Sequence, residues 1–334
     1  MPSSHSRAPE AVDPTAEQAG QMLRLMLTSR VLEERLAEAY AEGMLSGWIH
    51  SCEGHEALGA ALALALTPED FLIPHYRSRP EQLAKGMSVR EVVAEVFATV
   101  DAASGGRGGE THVSSVEARV FGMTGVLGAS IALSTGVGLA SKLRGESAVS
   151  VCSFGDGTAN RGTFHEALNL AAIWDLPVVF ICENNRFAEL SKTEDFVRVE
   201  NIADRAAGYG MPGVALDGHD PELLLAELRK AVAAAREGRP SLIEAKMIRR
   251  RGHWEGDPQQ YRDSGEIEAI DDEDPVALYR LRAAEHYGID PAEIEAWEAE
   301  AREEVDEAIG WAAERPRISP EDAVRGVYAE VSDA

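Results

Sequence analysis

Apolar and polar positions divide this chain into a helical first part, an alternating centre and a helical last part. From about residue 15 to residue 66, and again in SVREVVAEVFATVDAA, apolar residues recur every three or four positions, which predicts amphipathic helices. The centre alternates short apolar runs with helical patterns. We predict strands at 148–154 and 178–182, helices at 163–174 and 221–237, and further strands in GVALDG and SLIEAKMI. This alternation predicts an α/β fold, in which helices cover both faces of a parallel sheet.

The same pattern gives the predicted domain organisation, an α/β domain with helical N- and C-terminal extensions. Residues 1–15 lack an apolar core and are interpreted as a flexible tail rather than a signal peptide. Residues 16–273 form the predicted α/β domain. Residues 274–334 are acidic and helical, which is typical of an extension that is solvated or packs on another subunit.

Charge and composition narrow the classes of partner. The 57 acidic residues exceed the 32 basic ones, and the formal net charge of −25 argues against nucleic acid and anionic membrane surfaces as partners. The most apolar window, residues 126–140, is too short to span a bilayer and is interpreted as a tightly packed, buried helix. Cys52, Cys152 and Cys182 fit neither a disulfide framework nor a zinc motif. We therefore predict a soluble, cytoplasmic protein.

The motif SVCSFGDGTANRG, residues 150–162, places a glycine loop between a predicted strand and a predicted helix. Backbone N–H groups of such loops bind phosphate, yet the carboxylate of Asp156 would repel it. A dinucleotide fingerprint fails because its third glycine is replaced by Asn160, and a P-loop fails because no Gly-Lys-Ser/Thr follows. A calcium-binding EF-hand fails because Arg161 and Ala167 occupy its sixth and twelfth positions. A plain tight turn stays open as an alternative.

A divalent cation removes the conflict, because a metal ion can bridge a carboxylate and a phosphate. Mg²⁺ prefers carboxylate, neutral and phosphate oxygens as ligands. The segment VVFICENN supplies a second ligand directly after the next predicted strand, where Asn185 offers an amide oxygen. The right-handed strand–helix–strand crossover brings both loops to the carboxyl edge of one sheet. The sequence therefore predicts that Asp156 and Asn185 meet around one magnesium ion.

Gly-Asp-Gly, a span near thirty residues and Asn-Asn together resemble the thiamine diphosphate motif. With ANRGTFHEALNLA and LPVVFICENN, they are similar to the α subunit of the first components of 2-oxo acid and acetoin dehydrogenases, and the resemblance covers roughly residues 21–331. It implies the thiamine diphosphate-binding fold, with thiamine diphosphate and Mg²⁺ as cofactors. It also implies that the carbonyl group of Phe187 joins Asp156 and Asn185 as a metal ligand.

The resemblance further implies which residues hold the organic cofactor. Backbone groups of Gly125 and Leu127 would contact the aminopyrimidine ring. His253, which would also contact the cofactor, and His112 match active-site histidines of the family, and histidine can donate or accept a proton near neutral pH. The diphosphate is expected to contact Tyr76, Arg77, Gly155, Gly157, Thr158 and Arg249.

Three positions depart from the family pattern. Arg79 stands where relatives often have a histidine, and an arginine cannot shuttle a proton. Trp254 replaces a serine that pyruvate- and branched-chain-type enzymes can phosphorylate, so this regulation is expected to be absent. Glu189 occupies a position that is often apolar and is expected to alter the substrate pocket. The segments GHWEGDPQQYR and FAELS are more similar to acetoin-type relatives.

The resemblance implies that this chain is only half of an active site. It has one sheet-forming region, so the glutamate that activates thiamine diphosphate is expected on a separate β subunit, in an assembly of two α and two β chains. The complex would cleave acetoin or decarboxylate a 2-oxo acid such as pyruvate, a small-molecule carbonyl substrate, and pass the acyl group to a lipoyl acyltransferase. Two alternatives stay open: a non-oxidative carboligase or acyl transferase that uses the same α/β pair, and a non-catalytic structural homologue. The choice among acetoin, pyruvate and branched 2-oxo acids also stays open.

Overall fold

The structure is a computed structural model that describes residues 13–325. Most of the predicted tail, and residues 326–334 of the predicted extension, lie outside the described part of the chain. The helices are α1 (Ala16–Ala41), α2 (Glu56–Ala65), α3 (Arg79–Ala84), α4 (Val89–Val96), α5 (Ala129–Arg144), α6 (Gly162–Ile173), α7 (Pro221–Arg236), α8 (Ser264–Glu268), α9 (Pro275–Tyr287), α10 (Pro291–Ala313) and α11 (Pro320–Ala323). None of these helices has both the length and the apolar content that crossing a membrane requires.

The strands form one parallel sheet and one short hairpin. They are β1 (Phe71–Ile73), β2 (Ser150–Gly155), β3 (Val178–Asn184), β4 (Phe187–Ala188), β5 (Ser191–Lys192), β6 (Gly213–Asp217) and β7 (Ser241–Lys246). The five-stranded sheet has the order β1-β2-β3-β7-β6, and every neighbouring pair in it is parallel. β4 and β5 pair antiparallel beside it.

Helices cover both faces of the parallel sheet. Val179 and Ile181 of β3 pack with α1, α2 and α7, whereas Phe180 packs with α5 and α6 on the other face. A strand buried on both faces is apolar throughout, which is the pattern that the sequence shows there. The predicted α/β fold, with a parallel sheet flanked by helices, is confirmed.

The interpretation of residues 126–140 as a buried helix is wrong for one side of α5. Serine, threonine and glycine residues form much of its buried face. Gly138 lies so close to β3 that a Cβ atom there would be 2.5 Å from Cγ2 of Val178, so only glycine fits. Leu133 is instead 40% exposed, and Leu143, beyond the predicted window on the same helix, is 78% exposed. Mean apolarity along a window does not tell which side of the helix each residue occupies.

The C-terminal helices pack on the N-terminal helix α1. Tyr279 of α9 and Trp297 of α10 belong to the same apolar cluster as the inner residues of α1. The guanidinium carbon of Arg24 lies 4.2 Å from the Trp297 ring centroid. Arg30 of α1 pairs with Asp274, 2.9 Å between Nη1 and Oδ2, just before α9. The domain boundary at residue 273 and the subunit contact of residues 274–334 stay predictions.

Asp70 directly precedes β1 and connects it by hydrogen bonds to neighbouring segments. We expect Asp70→Asn to lower the free energy of unfolding by about 3 kcal/mol at pH 7. The buried carboxylate accepts hydrogen bonds from Arg236 (2.6 Å to Nη2) and from the backbone N–H groups of Thr67 and Val149. Burial alone would raise the pKa of Asp70, but these hydrogen bonds outweigh it and lower the pKa.

Urea unfolding of both proteins between pH 3 and pH 8 measures this contribution. Because the pKa is lower in the folded state, the advantage of aspartate is fully present above the unfolded pKa of about 3.9 and is lost as the pH falls through the folded value. The exposed Asp272 gives the control, and Asp272→Asn is expected to change stability by less than about 0.5 kcal/mol. An equal loss for Asp70→Asn at every pH would contradict this account.

Candidate active site

The ends of β2 and β3 lie side by side at the carboxyl edge of the sheet. Gly155 of β2 is opposite Glu183 of β3, so the segments that follow them, beginning at Asp156 and Asn185, start next to each other. A cavity of about 220 Å³ opens at this place. Every site residue predicted from the sequence lines it except Gly125 and His112. The predicted convergence of Asp156 and Asn185 at one sheet edge therefore holds, whereas their roles stay predictions.

Asp156 is a buried carboxylate without a cationic partner. It begins a 3-10 turn, Asp156–Asn160, and is 1% exposed. Its Oδ2 accepts a hydrogen bond from the hydroxyl group of Thr193. Burial raises its pKa. Among residues 13–325 no lysine or arginine lies within ion-pair distance of it, and only the more distant charge of Arg249 acts on its carboxyl group. A cation in the cavity would therefore be the first ion to contact this carboxylate.

Asn185 is held so that its amide group has a fixed direction. Its Nδ2 lies 3.3 Å from Nε2 of His55, and its Oδ1 accepts a hydrogen bond from the backbone N–H of Phe187 at 3.3 Å. The chain turns sharply here, because Arg186 has a φ of 70° and Glu189 a φ of 55°. This turn brings Phe187 back to the cavity.

A buried cluster behind Asn185 was not found from the sequence. Glu183 accepts hydrogen bonds from Nδ1 of His55 and from Nε2 of His75, the latter at 2.9 Å. Although burial alone would raise the pKa of Glu183, the charge of His75 and the hydrogen bonds from both imidazoles lower it. Burial and the charge of Glu183 raise the pKa of Glu81, which accepts from Ser153 at 3.0 Å. The cluster supports the strand end that carries Asn185.

His75, Glu81 and Glu183 also form a set that could hold a metal ion, since one ligand atom from each lies within 4.8 Å of the others. Hydrogen bonding already accounts for Glu183, because each of its two oxygens accepts from one imidazole. Glu81 accepts from Ser153 at one oxygen, and its Oε2 has no partner within the described residues. Asp156, in contrast, has no such basic partner, which favours it as the cation site.

Two buried arginines face the cavity without carboxylate partners. Arg77 and Arg249 are each 2% exposed. Arg77 donates to the carbonyl groups of Ser51 and His253, and Arg249 donates to the carbonyl of Glu189 (3.0 Å) and the hydroxyl of Tyr261 (2.6 Å). Burial, together with the charge of Arg77, lowers the pKa of Arg249 to about 10. Two buried guanidinium groups without an anion make a binding site for a multiply charged anion.

His253 is a buried imidazole in the same wall of the cavity. Its backbone N–H donates to Oδ2 of Asp257 at 2.6 Å, and the hydroxyl of Tyr261 donates to the same oxygen at 2.7 Å. Burial and the positive charge of Arg77 lower the pKa of His253 to about 3. Its Nδ1 has no hydrogen-bond partner within the described residues. The ring is therefore neutral at physiological pH and has a nitrogen available for a ligand or a proton.

Gly125 and His112 lie together beside the cavity rather than in its wall. The backbone N–H of Gly125 donates to Nε2 of His112 at 3.3 Å, and Nδ1 of His112 lies 2.8 Å from the hydroxyl oxygen of Thr111. Both residues are exposed. Leu127, on the same loop as Gly125, does reach the cavity. The histidine is thus hydrogen-bonded to the loop that carries Gly125 and Leu127.

The three residues that depart from the family pattern lie at different distances from the cavity. Arg79 is buried and does not line the cavity. Glu189 lines the cavity, and its carbonyl group is bound to Arg249. Trp254 stacks on Trp48, with 5.0 Å between ring centroids and 25° between ring planes, and Trp48 is largely exposed. An aromatic pair thus lies next to His253, where the sequence alone indicated only the loss of a serine.

Comparisons with known proteins identify the family of this chain. The chain is 34% identical over 321 residues to the α subunit of acetoin:2,6-dichlorophenolindophenol oxidoreductase of Bacillus subtilis, with 96% of each chain covered. It is 36% identical over 307 residues to the protein of the same description from Cupriavidus necator, with 91% of this chain and 92% of that one covered. It is also 34% identical over 326 residues to the α subunit of 2-oxoisovalerate dehydrogenase of Bacillus subtilis, with 96% and 98% covered. The sequence model of the Dehydrogenase E1 component family matches residues 23–321, and this chain belongs to that family.

Proposed function

We propose that this chain is the α subunit of a thiamine diphosphate-dependent dehydrogenase component that cleaves acetoin or decarboxylates a 2-oxo acid. The acyl group would pass to a lipoyl acyltransferase. One observation carries the proposal: a single cavity combines a buried carboxylate and a buried amide, two arginines without carboxylate partners, and a neutral imidazole. Membership of the E1 component family supports thiamine diphosphate as the group that this cavity takes.

The residues present fit a metal–diphosphate pair. Asp156, the amide oxygen of Asn185 and the carbonyl of Phe187 supply the oxygen ligands that Mg²⁺ prefers. Arg77 and Arg249 would bind the diphosphate, whose charge compensates two guanidinium groups that are otherwise buried without an anion. The carboxylate would bind the metal ion and the arginines would bind the diphosphate, so a magnesium diphosphate would satisfy both.

Thiamine diphosphate supplies, when bound, the carbon nucleophile that adds to a substrate carbonyl. The chain itself provides binding, orientation and proton transfer. Leu127 and the backbone of Gly125 would orient the pyrimidine side, while the arginines fix the diphosphate. His253 is neutral at physiological pH, so it can take part in a hydrogen bond at its free nitrogen as the carbonyl reacts.

Exposed apolar residues next to the cavity support a β subunit as partner. Val126 and Leu127 are 64% and 40% exposed, and Leu133 on the following helix is also exposed. Apolar side chains grouped at the mouth of a polar cavity are typical of an interface. The relatives are named as α subunits, which supports a β partner, in an assembly of two α and two β chains.

Co-expression of this chain with a β subunit from the same organism tests the function. We expect the complex to reduce 2,6-dichlorophenolindophenol with acetoin, pyruvate or a branched 2-oxo acid, and only with thiamine diphosphate and Mg²⁺ present. Reduction with one substrate identifies the reaction. Cofactor binding without dye reduction, accompanied by carbon–carbon bond formation between two carbonyl substrates, would favour the carboligase alternative. Absence of cofactor binding in the complex would leave the chain a structural homologue.

A further inference from the structure

The glycine-rich loop of residues 104–112 carries a glutamate that points inward. Glu110 is 7% exposed, and its Oε1 accepts a hydrogen bond from Nδ1 of His50. Its Oε2 also receives the backbone N–H of His50 at 3.4 Å. Because the carboxylate accepts a hydrogen bond from Nδ1–H, it determines the orientation of the His50 ring and places the ring proton on Nδ1.

Arg79 holds this glutamate in place. Its Nη1 donates to Oε2 of Glu110 at 3.1 Å, and its Nη2 donates to the carbonyl oxygen of His50 at 2.5 Å. The remaining donors make a two-pronged contact with Glu33, 2.6 Å from Nε to Oε1 and 2.6 Å from Nη2 to Oε2. Arg79 is 1% exposed, so these bonds form away from water. Arg79 thus holds Glu110 and the backbone of His50 together by hydrogen bonds.

His50 stands directly behind the cavity wall. Its ring centroid lies 4.5 Å from that of Tyr76 and 5.0 Å from that of His253. Tyr76 and His253 line the cavity, whereas His50 does not. Nδ1 of His253 has no hydrogen-bond partner within the described residues, so the ring is oriented by packing against its aromatic neighbours, of which His50 is the nearest and Trp254, at 5.9 Å, is another.

We propose that Glu110 is a positioning residue of the active site, which orients His253 and Tyr76 through the ring of His50. Arg79 assists by fixing the carboxylate. The proposal rests on the proposed function, because the orientation of His253 matters for turnover only if His253 acts in the active site. Packing contacts of this kind determine how precisely a reacting group is placed, and a small misplacement lowers kcat.

Kinetics of the α/β complex loaded with thiamine diphosphate and Mg²⁺ provide the first test. Glu110→Ala is expected to lower kcat about 10- to 100-fold and to leave the substrate KM and the cofactor Kd within about threefold, because the residue touches neither ligand. Glu110→Gln keeps an oxygen that accepts from Nδ1 and is expected to retain most of kcat. Glu117→Ala, which removes an exposed glutamate from the neighbouring segment, is the matched control and should change nothing.

A double-mutant cycle separates positioning from a general structural role. If Glu110 acts through His50, Glu110→Ala adds less than about twofold to the loss already caused by His50→Ala. Multiplicative losses in the double variant would overturn the proposal. So would a loss of cofactor affinity as large as the loss of kcat, since that pattern belongs to a damaged binding site.

Crystal structures of the wild-type complex and both Glu110 variants give a readout that does not depend on activity. The proposal predicts that the rings of His50 and His253 rotate or lose order in Glu110→Ala and keep their orientation in Glu110→Gln. Unchanged rings in Glu110→Ala would overturn it even if the enzyme is active. Rotated rings in a complex that turns over none of the substrates would leave the positioning intact and reject the proposed function.

Discussion

Asp156→Asn is expected to lower kcat/KM by about 1,000-fold or more in the α/β complex and to leave the fold unchanged. The substitution keeps the size of a buried side chain and removes the negative charge that Asp156 offers to a cation. A metal ion and its oriented ligands contribute several kcal/mol to stabilising charge in the transition state, which corresponds to a loss of this order. Steady-state dye reduction, with Mg²⁺ varied from micromolar to millimolar, measures it.

Asp217 gives the matched control for this prediction. It ends β6 at the same edge of the sheet, but it is exposed and pairs with His219. Asp217→Asn should therefore keep kcat/KM within about twofold. Full activity of Asp156→Asn without added metal would show that the Gly-Asp-Gly segment is only a turn.

Arg249→Met is expected to have opposite effects on the free and the cofactor-bound protein. Without an anion, Arg249 is a buried charge whose donors reach only a carbonyl and a phenol, so an apolar side chain of similar length should keep or raise the melting temperature. With thiamine diphosphate and Mg²⁺, the variant should lose about 10- to 100-fold in cofactor affinity, which corresponds to one or two charge-assisted hydrogen bonds. Thermal unfolding with and without the cofactor measures both effects.

The neighbouring arginine is a sharp control for the same experiment. Arg250 is paired with carboxylates of this chain, at 2.8 Å from Asp271 and 3.3 Å from Asp274. Arg250→Met should therefore lower the melting temperature of the free protein and leave cofactor affinity nearly unchanged. A destabilised free protein in Arg249→Met, or a cofactor affinity equal to that of the wild type, would contradict the assignment of Arg249 as an anion ligand.

The sequence predicts the sheet and the convergence of Asp156 and Asn185 because both depend on local pattern and chain direction. Apolar runs that alternate with helical patterns specify parallel strands, and the ends of adjacent parallel strands meet at one edge. The observed β3 extends to Asn184, two residues beyond the predicted end, so Asn185 follows the strand directly. The position of a strand end is decided by pairing with β7, which the pattern of one strand does not reveal.

Side-chain partners far apart in sequence could not be predicted. Arg79 pairs with Glu33 and Glu110, and Glu183 pairs with His55, 128 residues away. Nothing in the spacing of such residues indicates contact, because helices and loops from separate segments bring them together. For Arg79 the sequence therefore predicts only the loss of a proton carrier, whereas the structure gives this arginine three hydrogen-bonding partners.

The polarity of α5 was missed for a different reason. A run rich in alanine, glycine, serine and leucine is typical of a buried helix, but the small polar residues face the sheet and Leu133 faces outward. Close approach of helix and strand at Gly138 favours small residues on the inner side. The outer leucines, Leu133 and Leu143, are therefore exposed in the single chain.

The location of the metal ion tests the central claim most directly. Crystals of the α/β complex grown with thiamine diphosphate and Mn²⁺ in place of Mg²⁺ would give an anomalous scattering peak at the bound metal. We predict one peak within coordination distance of Asp156, the amide oxygen of Asn185 and the carbonyl oxygen of Phe187, with the diphosphate on its other side. A peak among His75, Glu81 and Glu183 instead, or cofactor density without metal at Asp156, would contradict the account.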